Sequence, residues 1–167
     1  MPVRVSFARN AARKLISEAR IHEPPISVVN ISDRLGLKLF SYTGFPDSIS
    51  ALFDFKNKQI LINPNHHENR QKFSIAHEIG HFVLGHFDSE DDTNNEDVYF
   101  AEYLKLKHSA EKESEANEFA AELLMPLSLI KKQLLISHDP VKLAEIFKVS
   151  EAAMWVRLSK LNLISYL

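Results

Sequence analysis

Residues 73–84 read FSIAHEIGHFVL, and this stretch decides how the rest of the chain is interpreted. The pattern from about residue 68 to residue 85 is helical, with apolar side chains on nearly all sides of the axis. A helix of that kind is buried at the centre of a domain. The same stretch carries His77, Glu78 and His81, which are costly to bury unless they are bound or paired.

The three polar residues have the H-E-x-x-H spacing of a metal site. Residues four apart lie about 40° apart around a helix and one turn along it, so the imidazoles of His77 and His81 can bind one metal ion. Glu78 is rotated by about 100° from His77, which lets it act as a base towards a water molecule without binding the metal. Two ordinary core histidines are the alternative.

The composition limits the choice of further ligands. The chain has 167 residues, 8 His and no Cys. A disulfide, a Cys-bound zinc, an iron–sulfur cluster and a cysteine nucleophile are therefore excluded, and a zinc site has to use histidine and carboxylate. The formal net charge of −2 does not indicate binding to nucleic acid or to a membrane surface. No apolar run is long enough to cross a bilayer and no signal peptide is recognisable, so a cytoplasmic location is expected.

A third protein ligand is expected, because catalytic zinc usually has three and keeps one position open. The metzincin pattern would require glycine at 84 and histidine at 87, where the chain has Leu84 and Phe87. A second helix is predicted from about Ser109 to Met125. Glu113 lies on its apolar stripe, which consists of Ala116, Phe119, Ala120, Leu123 and Leu124.

Periodicity thus selects Glu113 as the third ligand. The alternative is that Glu113 binds no metal and only lies at the edge of the apolar stripe, at a frayed helix start. Asn117 follows one turn later on the same inward face and is placed to hydrogen-bond and orient a ligand histidine. The opposite face of the helix is expected to be solvated, and it carries Glu115, Glu118 and Glu122.

The rest of the pattern predicts an α+β fold in one domain spanning residues 1–167. Residues 6–65 hold the N-terminal helices and a small antiparallel sheet, packed on the central H-E-x-x-H helix. Residues 66–126 hold the two helices with candidate ligands. Residues 127–167 are helical. The acidic stretch 88–97 is expected to be a solvated connector, with a lid over the site as the alternative.

The strands of this sheet are expected at residues 37–42, 49–55 and 58–62. The last two flank Lys56 and Asn57, which favour a tight turn, so together they predict a hairpin.

Two stretches together resemble the ImmA/IrrE family of metallopeptidases. Residues 73–84 resemble its active-site helix, and residues 113–126, ESEANEFAAELLMP, resemble its second signature. Residues 143–161 are similar to the helical tail that often follows, so the resemblance covers roughly residues 10–163.

This resemblance implies a zincin-like metallopeptidase with Zn²⁺ held by His77, His81 and Glu113 and with Glu78 as general base. It also implies an endopeptidase whose protein substrate is a cognate transcriptional repressor, encoded nearby, in a stress response or a mobile element. Oxyanion stabilisation in zincins often uses a further His or Tyr, and four candidates stay open: Tyr99, Tyr103, His86 and His108.

The alternative function is a regulator that binds DNA or protein and carries a structural or vestigial metal site. Residues 141–163 resemble a helix-turn-helix. Its second helix offers only Arg157 and Lys160 as bases, whereas phosphate contacts need a basic face. Direct binding of nucleic acid is therefore not expected.

The motif predicts that the purified protein contains about one zinc ion per chain. His77→Ala should lose that zinc, whereas His22→Ala, which changes a histidine beside a predicted turn, should retain it. Elemental analysis by mass spectrometry measures both. A folded His77→Ala variant with unchanged metal content would exclude the predicted site.

Overall fold

Helices surround one small sheet in the computed structural model, which describes residues 3–86 and 109–166. The elements are α1 (Val5–Glu18), α2 (Val28–Arg34), β1 (Lys38–Ser41), β2 (Ala51–Asp54), β3 (Gln59–Ile62), α3 (Glu68–Leu84), α4 (Ala110–Leu124), α5 (Leu127–Leu134), α6 (Pro140–Phe147), α7 (Glu151–Lys160) and the 3-10 turn Ile164–Tyr166. The predicted α+β class is confirmed. The acidic stretch 88–97 lies outside the described residues, as do Tyr99, Tyr103 and His108.

Helix α3 lies at the centre of the domain, as its sequence predicts. It begins after His67, whose ring nitrogen accepts a hydrogen bond from the backbone N–H of Asn69, and it ends at Gly85 in the left-handed region, with φ 67°. Its side chains Ile75 and Ile79 are buried in the core. Among the described helices, none has both the length and the apolar character needed to span a membrane.

Helices α3 and α4 approach each other closely at Gly80. A Cβ atom at this position would lie 3.1 Å from the Phe119 ring and 3.2 Å from the Ala116 carbonyl oxygen. Both distances are shorter than ordinary van der Waals contact, so glycine is what allows this spacing of the two backbones. The contact holds the middle of α4 against the C-terminal half of α3, where the two histidines lie.

The sheet is mixed, which differs from the predicted antiparallel arrangement. The hairpin of β2 and β3 is confirmed, with Phe53 opposite Ile60. However, β3 lies in the middle of the sheet and pairs with β1 in parallel, with Leu39 opposite Ile60. Alternating apolar residues predict strands but do not fix their order, and here the chain crosses from one edge to the other before it returns.

The expectation that one face of α4 is solvated is wrong. The three glutamates on that face are 3%, 5% and 1% exposed: Glu115, Glu118 and Glu122. Each is bound at 2.8 Å by an arginine at the start of α1 or within it, in the pairs Arg4–Glu115, Arg9–Glu118 and Arg13–Glu122. Periodicity shows which residues share a face, but only the packing of α1 decides whether that face is covered.

The C-terminal helix α7 covers the same face of α4. Arg157 is 1% exposed, forms an ion pair with Glu122 and donates a hydrogen bond to the Met125 carbonyl oxygen at 3.0 Å. Lys160 binds Glu118 at 2.6 Å. Both bases of the second helix in the helix-turn-helix-like segment therefore contact carboxylates of α4.

Breaking the buried pair of Arg157 and Glu122 should cost more stability than breaking the pair of the half-exposed Lys160 and Glu118. Arg157→Met should lower the free energy of unfolding by about 3–5 kcal/mol, because it leaves a buried carboxylate with the half-exposed Arg13 as its charged partner. Lys160→Met should cost at most about 1 kcal/mol, since Lys160 is half exposed and Glu118 keeps Arg9. Urea unfolding measures both variants. Equal losses would contradict this ranking.

Candidate metal centre

His77, His81 and Glu113 lie together between α3 and α4. The Nε2 atoms of the two histidines are 2.9 Å apart. The carboxylate oxygens of Glu113 lie 3.3 Å from Nε2 of His77 and 3.4 Å from Nε2 of His81. In a tetrahedral zinc site with bonds of about 2.0–2.1 Å, the ligand atoms are roughly 3.3 Å apart. Both the donor set and its spacing therefore fit one zinc ion, and these residues form a possible His-His-Glu metal site.

Two helices set the positions of these side chains. The histidines are one turn apart on α3, with His81 buried and His77 partly exposed. Glu113 comes from the first turn of α4, whose start is fixed by Ser109, the side chain of which accepts a hydrogen bond from the backbone N–H of Lys112. Glu113 is 44% exposed, so the cluster is open to solvent on the Glu113 side.

Asn117 contacts His77, as its place one turn after Glu113 predicts. The prediction that Asn117 faces inward is wrong, because Asn117 is exposed at the surface of α4, but its side-chain oxygen lies 3.0 Å from Nδ1 of His77. An amide oxygen only accepts hydrogen bonds, so Nδ1 of His77 carries the proton. Its Nε2 lone pair is then directed at the cluster.

His81 has a partner that the sequence interpretation missed. Nδ1 of His86 lies 2.9 Å from Nδ1 of His81, and Nε2 of His86 lies 3.1 Å from Glu115. His86 thus contacts the ring nitrogen of His81 that is not part of the cluster. The signal for this contact is Gly85, because a left-handed residue after a helix turns the chain back. The His86 backbone N–H accordingly binds the His81 carbonyl at 3.0 Å.

Glu78 is the buried carboxylate beside the cluster. It is 8% exposed, and its Oε2 has no hydrogen-bond partner among the described residues. Burial raises the pKa of Glu78 to about 7, while the charge of His77 and a hydrogen bond from the backbone of Phe53 act in the opposite direction. A pKa shifted towards neutrality in this way is typical of functional carboxylates.

The charges of the cluster are strongly coupled. The imidazoles of His77 and His81, whose Nε2 atoms lie 3.3 and 3.4 Å from its oxygens, hold the pKa of Glu113 well below its ordinary value. Burial opposes protonation of His77, but Glu113, Glu78 and Asn117 outweigh it and raise its pKa. Burial prevails at His81 and lowers its pKa. Glu113 is therefore ionised, as a metal-binding carboxylate has to be.

The chain thus has an α+β fold in which two histidines of the H-E-x-x-H helix and a carboxylate from a second helix form a candidate metal centre. Residues 32–159 match the model of peptidase family M78, described as the IrrE N-terminal-like domain. The match covers well over half of the sequence, so the chain belongs to this family. The resemblance in residues 73–84 and 113–126 is thereby confirmed at the level of the family.

One solved structure with a similar fold is a transcriptional regulator from Mycobacterium tuberculosis. The TM-score is 0.66 and the sequence identity 16%, over 92% of this chain. This chain spans 46% of the length of that protein. No curated protein matches the chain significantly.

Glu113→Gln should weaken zinc binding strongly, because the neutral amide is a poor ligand for the ion. Glu111→Gln is the matched control. It removes the same charge from the same turn of α4, yet Glu111 does not belong to the cluster. Competition with a coloured zinc chelator measures both affinities. Equal affinities would mean that Glu113 is not a ligand.

Proposed function

We propose that this protein is a zinc-dependent endopeptidase that hydrolyses a peptide bond in a protein substrate. The observation that carries the proposal is the convergence of His77, His81 and Glu113 beside the buried carboxylate of Glu78. Membership of a peptidase family supports the same chemistry. In this proposal, residues 1–167 act as one metallopeptidase domain.

In the proposed site His77, His81 and Glu113 hold Zn²⁺, and one coordination position stays open. When bound, zinc polarises a substrate carbonyl and makes a nearby water molecule more acidic. The half-exposed side of Glu113 gives the substrate access to the cluster. Asn117 keeps the proton of His77 on Nδ1, so that Nε2 remains a ligand.

Glu78 acts as general base in this mechanism. Its carboxylate takes a proton from the water molecule whose oxygen attacks the carbonyl carbon. When the carbon–nitrogen bond breaks, the same carboxyl group delivers that proton to the leaving amine. A pKa of about 7 suits both steps, because the group can then take up and release a proton near neutral pH.

We further propose that the substrate is a transcriptional repressor encoded near this protein, in a stress response or a mobile element. The family and the regulator of similar fold support this choice. A repressor substrate would place the reaction in the cytoplasm.

A regulator without peptidase activity is the second candidate, since the protein of similar fold is a transcriptional regulator. DNA binding through residues 141–163 is disfavoured because Arg157 and Lys160 bind glutamates of α4. A vestigial metal site is disfavoured because Glu78 is present and buried beside the cluster.

Cleavage of a repressor, and its loss in Glu78→Gln, distinguish the endopeptidase from the regulator without peptidase activity. Incubated with the repressors encoded nearby, the wild-type protein should cleave one of them, and Glu78→Gln should reduce the rate by about 100-fold or more. Zinc content should stay unchanged, because Glu78 is not a ligand. Gel electrophoresis and mass spectrometry of the fragments measure the rate and the cleavage site.

Glu68→Gln provides the control, since it removes a charge from the exposed first turn of the same helix. It should cleave as the wild type does. Cleavage by Glu78→Gln at the wild-type rate would show that Glu78 is not the base. Intact repressor after incubation with the zinc-loaded wild type would favour the regulator.

A further inference from the structure

We infer that His86 is a positioning residue for His81, at the inner end of a series of hydrogen bonds that runs through Glu115 to the half-exposed Arg4. The inference rests on the proposed metal site, since it assigns to His86 the task of keeping His81 in the form that binds zinc. His86 is 2% exposed and Glu115 is 3% exposed, so water has little access to the contacts between them.

The chain of contacts is continuous. His81 and His86 meet through their Nδ1 atoms at 2.9 Å, and Nε2 of His86 lies 3.1 Å from Oε2 of Glu115. Arg4 holds both oxygens of Glu115, through its guanidinium at 2.8 and 3.0 Å and through its backbone N–H at 2.8 Å. The carboxylate is thereby fixed in position.

The direction of each hydrogen bond follows from this arrangement. Arg4 is only a donor, and the ionised Glu115 is only an acceptor. Nε2 of His86 therefore donates to Glu115. In a neutral imidazole the other nitrogen then accepts, so Nδ1 of His86 accepts a hydrogen bond from the Nδ1–H group of His81. The Nε2 of His81 is left with its lone pair directed at Glu113 and His77.

His77 and His81 thus both carry their proton on Nδ1, although different neighbours accept the hydrogen bond. Asn117 accepts from Nδ1 of His77, and His86 accepts from Nδ1 of His81. The other tautomer of either ring would place a proton on Nε2 and exclude the metal. Partners of this kind fix both the tautomer and the orientation of ligand histidines.

A comparison within α4 separates this role from plain structural support. Each of the three buried glutamates of α4 binds one arginine from the N-terminal segment and one further side chain. For Glu118 that group is Lys160, and for Glu122 it is Arg157. For Glu115 it is His86, which contacts a candidate ligand. Glu118 is therefore a matched control, since it has the same burial and pairing without a link to the cluster.

The first test measures the zinc affinity of the full chain by chelator competition. His86→Leu should weaken binding by about 10–100-fold, the usual loss when a partner of a ligand histidine is removed. His86→Asn should recover part of the affinity, because its amide oxygen can take the place of Nδ1 and accept from His81. Circular dichroism shows whether each variant is folded.

The second test reads the tautomer directly in the metal-free protein, from the ring ¹⁵N chemical shifts of its histidines. The wild-type protein should have the proton of His81 on Nδ1. His86→Leu should shift the population towards the Nε2 tautomer and leave His77 unchanged, because Asn117 still holds it. A purely structural role of His86 would not produce a change confined to His81.

A milder pair of variants covers the case in which His86→Leu does not fold. Glu115→Gln removes the charge that makes Nε2 of His86 the donor in this series of hydrogen bonds. It should shift both the tautomer of His81 and the zinc affinity. Glu118→Gln should change neither. Unchanged affinity and tautomer in folded His86 and Glu115 variants would overturn the inference. A wild type that binds no zinc would overturn the proposed function instead, and the tautomer measurement would still decide the role of His86.

Discussion

The close approach of α3 and α4 at Gly80 is the contact on which the rest of the site depends. With no side chain at Gly80, the Ala116 carbonyl and the Phe119 ring come close to the backbone of α3. The glycine lies between the two histidines of the H-E-x-x-H motif, so the position that brings the helices together also places Glu113 beside both imidazoles. A Cβ atom here would require the neighbouring atoms of α4 to move away by a few tenths of an ångström.

Helix α4 is held in its register by charges on its other face. Its three buried glutamates are bound by arginines near the N-terminus and by bases of α7. Buried ion pairs of this kind add little net stability, because their desolvation offsets most of their attraction. Their consequence is geometric, since they join α4 to the N-terminal segment on one side and to α7 on the other. These pairs therefore hold α4, and Glu113 with it, in place relative to both helices.

One of these pairs, Arg4 with Glu115, connects the surface of the domain to the candidate metal centre. Arg4, at the start of α1, reaches His81 through Glu115 and His86. On the open side of the cluster, Asn117 holds the other imidazole. Each histidine thus has its second ring nitrogen occupied by a neighbouring side chain, which leaves Nε2 of both rings for the ion.

The sequence alone determined the α+β class, the central helix, the hairpin of β2 and β3, and the choice of His77, His81 and Glu113, because helix and strand periods and motif spacing are local properties. Their role as ligands stays a prediction, although the structure brings the three together. Only the tertiary structure decided that β1 lies parallel to β3, that Glu115, Glu118 and Glu122 are buried, and that His86 contacts His81. These features depend on which distant segments cover a given face, and a periodic pattern carries no information about the identity of its partner.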